Sequence, residues 1–299
     1  MPENIRVSGK SPKPQDRLPV ARPDFSAPNR HKLYVTWFGH STVLFQMHGV
    51  QILIDPIFSK HSFTFQIAAP ARFTVPSVGI ADLPQIDAVL LTHDHYDHLD
   101  RNTIRQLAAK TDRFIVSRGL AAYLRRWGIP KRRIIPLAWW EKTAFRGLEI
   151  TCTPSRHFSG RGLFDQNTTQ WCSFVLRDGL HTVFDSGDGS IGGHFKEIHD
   201  RFGDFDFAVM ECGQYNRSWH YSHLYPEESV QAALAVGAKY AMPVHWGAYV
   251  LSNHGWDDPP ARFAAEAEKQ GLSIITPHIC ETVCIDDAPE TEYWWNAYQ

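Results

Sequence analysis

The chain has 299 residues, long for one average domain yet within the range of a single α/β sandwich, so a sizeable core is available. A formal charge of −2 at pH 7 excludes a broad electrostatic pull toward nucleic acid or an anionic membrane, and no run reaches the ~20 apolar residues that span a bilayer. The five cysteines are odd in number, scattered and not preceded by a charged leader with an apolar stretch, which reads as reduced thiols in a cytoplasmic protein.

In chain order, residues 1–31 carry six prolines among polar residues and read as an extended or disordered arm, leaving 32–299 as one domain. Short β-branched or aromatic runs at 33–37, 42–45, 51–54, 88–91, 114–116, 149–153, 172–176, 182–184, 207–210, 240–243 and 273–275 predict strands. Helical patterns fall at 101–110, 120–127, 194–202, 226–236 and 259–270. In the fourth, Pro226 suits the first helical position, Glu227 and Glu228 complement the N-terminus, and Val230, Ala233 and Leu234 form an apolar side. Strands dominate the first third and alternate with helices later, the pattern of mixed sheets flanked by helices in the α/β class. Lys131-Arg132-Arg133 reads as a solvated turn, and Trp139 and Trp140 as core.

The 16 histidines are numerous for this length and direct attention to metal or acid–base chemistry. The buried-strand pattern ending at Leu91-Thr92 runs straight into His93-Asp94-His95-Tyr96-Asp97-His98 before the next helix. Imidazoles and carboxylates this dense are nitrogen and oxygen donors of the kind zinc, manganese and iron accept, and strand ends are where α/β folds place chemistry. Each ion needs about three protein ligands, so further donors are expected at other strand ends: His157, Asp188 in Ser186-Gly187-Asp188-Gly189, and His245. Taken singly, these three are equally a loop residue, a turn former and a core histidine.

The pattern His-x-His-x-Asp-His at 93–98, followed by His157, Asp188 and His245, is similar to the signature of binuclear metallo-β-lactamase-fold hydrolases. Within that superfamily the chain resembles most the N-acylphosphatidylethanolamine-hydrolysing phospholipase D family, over about residues 34–285. Thr36-Trp37-Phe38-Gly39-His40-Ser41-Thr42, Asp55-Pro56-Ile57-Phe58, His95-Tyr96-Asp97-His98-Leu99-Asp100, Trp139-Trp140-Glu141, Thr153-Pro154-Ser155-Arg156-His157, Phe195-Lys196-Glu197-Ile198 and His245-Trp246-Gly247 carry the likeness, together with residues 83–90.

The resemblance implies a four-layer αβ/βα sandwich with two mixed β-sheets. It implies two divalent ions per chain, zinc first with manganese or iron as alternatives. His93, His95 and His157 would hold one ion, Asp97, His98 and His245 the other, and Asp188 would bridge them. A bridging hydroxide would then attack a phosphodiester, with Asp97 and Asp188 as catalytic carboxylates. A lactonase or sugar-phosphate hydrolase similar to the ascorbate-6-phosphate lactonases is the alternative. His223, just before the fourth helix, matches a substrate-contacting histidine of the family, with His220, Tyr221 and Tyr225 nearby. His40 is expected to touch substrate, to bond a metal ligand or to be a core histidine, and Asp55 to support the histidine loop.

The apolar segment 56–73 is expected to pack over the sheet, with an acyl-binding wall or a contact with a membrane surface as the alternatives. The expected partner is a small-molecule or phospholipid substrate, with peripheral membrane contact and no nucleic acid. The glycines of Gly189-Ser190-Ile191-Gly192-Gly193 depart from the family pattern and predict a flexible loop beside Asp188.

Overall fold

The computed structural model describes residues 11–62 and 70–298. Within them the chain forms two seven-stranded mixed sheets. The first contains β1 (Tyr34–Trp37), β2 (Val43–Met47), β3 (Val50–Ile54), β4 (Ile86–Leu91), β5 (Thr111–Ser117) and β6 (Ile134–Leu137). The second contains β7 (Lys142–Phe145), β8 (Leu148–Thr153), β9 (Ser173–Arg177), β10 (Thr182–Asp185), β11 (Phe207–Glu211), β12 (Tyr240–Val244) and β13 (Ser273–Ile274). The last strand, β14 (Thr282–Cys284), returns to the first sheet and pairs antiparallel with β1.

Each sheet is antiparallel in one half and parallel in the other, and the connections explain why. Strands β1 to β3, and β7 to β10, follow one another antiparallel. Parallel pairing requires a crossover, and helices supply it. Helix α1 (Arg101–Leu107) lies between β4 and β5, and α2 (Ala121–Arg126) between β5 and β6. In the second sheet α3 (His194–Phe202), α4 (Pro226–Val236) and α5 (Asp258–Gln270) separate β10, β11, β12 and β13 in turn. The sheets meet through apolar faces, as where the rings of Phe45 and Phe207 lie 6.3 Å apart. Helices flank them, and the result is the four-layer α/β sandwich.

All eleven strands and five helices predicted from the sequence are present. The strands missed are β6, β7 and β14, each at the edge of a sheet. Edge strands carry weaker apolar patterns, and Pro136 in β6 is tolerated because a sheet edge does not need its N–H. Residues 18–25 run along the first sheet: Leu18 is buried, Ala21 N–H donates to the Ile279 carbonyl at 2.8 Å, and the Gln46 side chain donates to the Phe25 carbonyl at 2.9 Å. Of the 56–73 segment, Ile57 and Arg72 are buried, whereas Phe63, Phe65 and Ile67 lie outside the described residues. No described helix is long and apolar enough to cross a membrane.

Candidate metal centre

Polar side chains leave the sheets at seven strand ends and converge. His40 follows β1, Asp55 follows β3, the 93–98 loop follows β4, His157 follows β8, Asp188 follows β10, Glu211 closes β11, and His245 follows β12. The parallel halves point their carboxyl ends to the same edge, which gathers residues more than 150 positions apart. Backbone strain accompanies the turns: His40, Asp55 and His245 have φ of 55°, 40° and 70°, a region costly for residues with a Cβ. Gly187, at φ 52°, aims Asp188, and a Cβ there would stand 2.5 Å from the Cys172 carbonyl oxygen.

The donors form two groups that share one atom. In the first, His93 Nε2 lies 3.0 Å from His95 Nδ1, and His157 Nε2 lies 3.1 Å from the same nitrogen. In the second, His245 Nε2 stands 3.3 Å from both His98 Nε2 and Asp97 Oδ2. Asp188 Oδ2 belongs to both, at 3.2 and 3.3 Å from His98 and His245 and 3.9 Å from His93 and His157. Donors held ~2.0–2.1 Å from one tetrahedral ion would lie about 3.3 Å apart, so the observed spacings suit a cation in each group.

Outer partners fix the rings. His98 Nδ1 contacts Asp55 Oδ2 at 2.7 Å, His157 Nδ1 donates to the Ser222 carbonyl at 2.7 Å, and His245 Nδ1 to the Gly213 carbonyl at 3.1 Å. These contacts hold the opposite nitrogens toward the centre, as partners on the far ring nitrogen do for histidines that bind a metal. Asp55 is itself held by the backbone N–H and hydroxyl of Thr92, so it supports the histidine loop as expected. His40 is fully buried behind Asp97 and bonds its Oδ2 at 2.9 Å. Of the three expectations for His40, the structure shows a buried histidine in contact with a candidate ligand and outside the cleft lining.

Electrostatics fit the same picture. Burial holds His93 and His157 well below the ordinary imidazole value, leaving the neutral rings a metal requires. Burial also works against a charge on His98 and His245, but Asp188 and Asp97 overcome it. His98 is held well above its ordinary value and His245 is raised to about 9. These buried carboxylates call for positive charge, which a divalent cation provides. Asp188 Oδ1 is buried without a hydrogen-bond partner among the described residues, a vacancy that a second ligand contact would satisfy.

Comparison with known proteins decides the family. The β-lactamase superfamily domain model matches residues 51–246. An uncharacterised protein of Mycobacterium tuberculosis is 36% identical over 287 residues, 95% of this chain and 77% of the relative. The mitochondrial N-acyl-phosphatidylethanolamine-hydrolyzing phospholipase D of Saccharomyces cerevisiae is 32% identical over 85% of this chain, which spans only 56% of that protein. Among solved structures, a metallo hydrolase from Ignicoccus hospitalis superposes with a TM-score of 0.59 at 21% identity, covering 85% of this chain and 98% of that one.

The chain belongs to the metallo-β-lactamase superfamily. It is a metal-dependent hydrolase of that superfamily, with the fold its sequence implied. In this superfamily member a cleft of about 650 Å³ opens onto the centre. Its polar lining includes His95, Asp97, Asp188, His223 and His245, and its apolar lining Phe158, Leu163, Trp219 and Leu251, with Phe158 in ring contact with His95 at 4.5 Å. His223 therefore joins the centre. His220 instead bonds Glu228 at 2.7 Å, and Tyr221 is exposed.

Several residues, or the roles they play, escaped sequence reading. Glu211 is buried, bonds His223 Nδ1 at 2.5 Å and accepts the Gly189 N–H at 3.1 Å. Its only signal was a carboxylate at the end of an apolar strand. Asp94 turns away from the metal loop and accepts from Gly160 N–H at 2.7 Å and Thr169 Oγ1 at 2.9 Å. Gln214 braces the His245 turn, accepting from the backbone N–H groups of Leu251 and Ser252 at 2.8 and 3.0 Å. The glycine-containing loop after Asp188, expected to be flexible, is pinned. Ser190 N–H donates to the Arg156 carbonyl at 2.9 Å, its hydroxyl to the His220 carbonyl at 2.6 Å, and Ser155 Oγ to the Asp188 carbonyl at 2.5 Å.

Proposed function

We propose that the protein is a binuclear phosphodiesterase that hydrolyses N-acylated phosphatidylethanolamine or a closely related phosphodiester. The observation that carries this reading is a cleft that combines a doubled donor set, joined by Asp188 Oδ2, with apolar lining residues. A phosphate head and an acyl tail need that pairing of surfaces. The yeast relative named for this activity supports the choice of substrate.

His93, His95 and His157 would hold one ion and Asp97, His98 and His245 the other, with Asp188 between them. Bound divalent metal, zinc on this reading, supplies Lewis acidity that acidifies water and offsets charge on the phosphoryl group. The chain does the rest. His98 and His245 pull Asp97 well below the ordinary carboxylate value against the opposing effect of burial, so it stays ionised at neutral pH and serves as a ligand rather than a proton store. Glu211 occupies His223 Nδ1, so Nε2 is the ring atom left to meet a phosphoryl oxygen in the cleft. Phe158, Trp219 and Leu251 exclude water from the acyl side. In the net reaction the water oxygen joins phosphorus, the P–O bond to the amide-bearing alcohol breaks, and that alcohol leaves protonated.

Elemental analysis of the purified protein beside a hydrolysis screen tests the proposal. About two divalent ions per chain and turnover of the N-acylated phospholipid are expected, both falling in Asp188→Ala and His98→Ala. Hydrolysis of lactones without any phosphodiester turnover would replace the substrate assignment, and a single ion in fully active protein would overturn the binuclear one.

A further inference from the structure

In the candidate centre, His93, His98, His157 and His245 each have a hydrogen-bond partner on the ring nitrogen turned away from it. For His93 this is Thr92 Oγ1 at 2.9 Å, for His98 it is Asp55, and for the other two the carbonyls of Ser222 and Gly213. His95 shows none among the described residues, although its Nδ1 stands within 3.1 Å of both His93 Nε2 and His157 Nε2. A ligand ring without such a partner has to be placed by packing and by its backbone. The packing comes from Phe158, 4.5 Å from the His95 ring and next in the chain to His157.

The backbone around His95 is gripped from the same stretch. Arg161 Nη1 donates to the carbonyls of Asp94 at 2.6 Å and Leu99 at 2.8 Å, residues that bracket His95, Asp97 and His98. The guanidinium lies 3.9 Å from the centre of the Tyr96 ring, whose hydroxyl donates to the Arg161 carbonyl at 2.8 Å. In the reverse direction Asp94 Oδ1 accepts the Gly160 N–H at 2.7 Å, and its Oδ2 accepts the hydroxyls of Thr169 at 2.9 Å and Tyr123 at 3.3 Å. Asp165 Oδ1 closes the turn on itself, accepting the N–H groups of Arg161 at 3.0 Å and Gly162 at 2.7 Å. Charged side chains thus cross between the two loops both ways, and bonds to an ionised group are stronger than neutral ones.

We propose that Arg161 and Asp94 are positioning residues: a reciprocal clamp that seats the loop bearing His157 on the loop bearing His95 and so sets the affinity for the ion held by His93, His95 and His157. The second group is braced by other means, His98 by Asp55, Asp97 by His40 and His245 by the Gly213 carbonyl. Loss of the clamp therefore weakens one ion and spares the other. The inference rests on the two-ion reading above and adds which residues make the two sites unequal.

Titration of the metal-free protein with zinc against a chromogenic chelator tests it, because occupancy is read without turnover. Arg161→Gln and Asp94→Ala are each expected to lower affinity for one of the two ions about 10–100-fold and to leave the other unchanged. Asp94→Asn keeps an acceptor for the Gly160 N–H and should restore most of that loss. Arg161→Gln should add nothing in a His157→Ala background and should cost its full factor in a His98→Ala background, since coupled residues fail to add and independent ones do. Circular dichroism of each metal-free variant reports its fold, and if Arg161→Gln does not fold the two Asp94 variants decide. Equal weakening of both ions, no weakening in any folded variant, the same cost with and without His157, or Asp94→Asn as damaging as Asp94→Ala would overturn the clamp. Wild-type protein that takes one ion would overturn the two-ion reading separately, and the comparison with and without His157 would still decide the clamp.

Discussion

His181 ties the two sheets together outside the candidate metal centre, and its protonation makes a testable contribution to stability. It sits at the β9–β10 turn, with Nδ1 3.3 Å from Asp178 Oδ2 and Nε2 2.9 Å from Asp286 Oδ1 beyond β14. Hydrogen bonds to Asp178 and Asp286 raise its pKa from 6.5 to about 9, against burial. The folded state thus holds the proton more tightly than the unfolded chain does. The stabilisation is complete below about 6.5 and is lost as pH rises through about 9. Asp178 runs the other way: its pKa is lowered to about 2, so its share is present above the ordinary carboxylate value and is lost on acidification. A dry site would make the rise at His181 worth ~3 kcal/mol, but Asp286 keeps 30% of its side chain in water, and screening leaves about 1–2 kcal/mol. Urea unfolding of wild type and His181→Gln from pH 6 to pH 9.5, compared as a difference so that other titrating groups cancel, should show that gap close as pH rises. A difference independent of pH would refute the account.

Removing the partner of a candidate ligand should weaken metal without destroying the fold. Asp55→Ala frees His98 Nδ1 and is expected to lower affinity for divalent metal about 10–100-fold, read by competition with a chromogenic chelator. Gly213→Ala would place a Cβ 2.0 Å from the His245 carbonyl oxygen, so metal content should fall with that ligand's displacement, and unchanged occupancy would contradict the close approach. Glu211→Gln can still accept from His223 and should keep most phosphodiesterase turnover, whereas Glu211→Ala should lose at least about tenfold in kcat/KM, a split that steady-state kinetics resolves. Chelation of the loaded protein should lower Tm, and across metal concentrations the stabilisation should grow with the logarithm of the ratio of free metal to Kd, measured by calorimetry.

The strands and helices that build the core were legible because their periodicity is local, and the 93–98 cluster because its donors are adjacent in the chain. The edge strands β6, β7 and β14 were not, since an edge position is a fact about neighbours rather than about composition. Sequence alone determined that histidine and aspartate donors cluster at the end of β4 and, through resemblance, which isolated residues were expected to join them. Only the tertiary structure decided that Asp188 Oδ2 lies between both groups, that His40 backs Asp97 instead of facing the cleft, and that Glu211 holds His223. It also turned an expected flexible loop into a pinned one, through partners up to 35 positions away. The physical reason is that spacing along the chain specifies which donors exist, whereas their distances and charges arise when parallel strands bring remote ends to one edge of the sandwich.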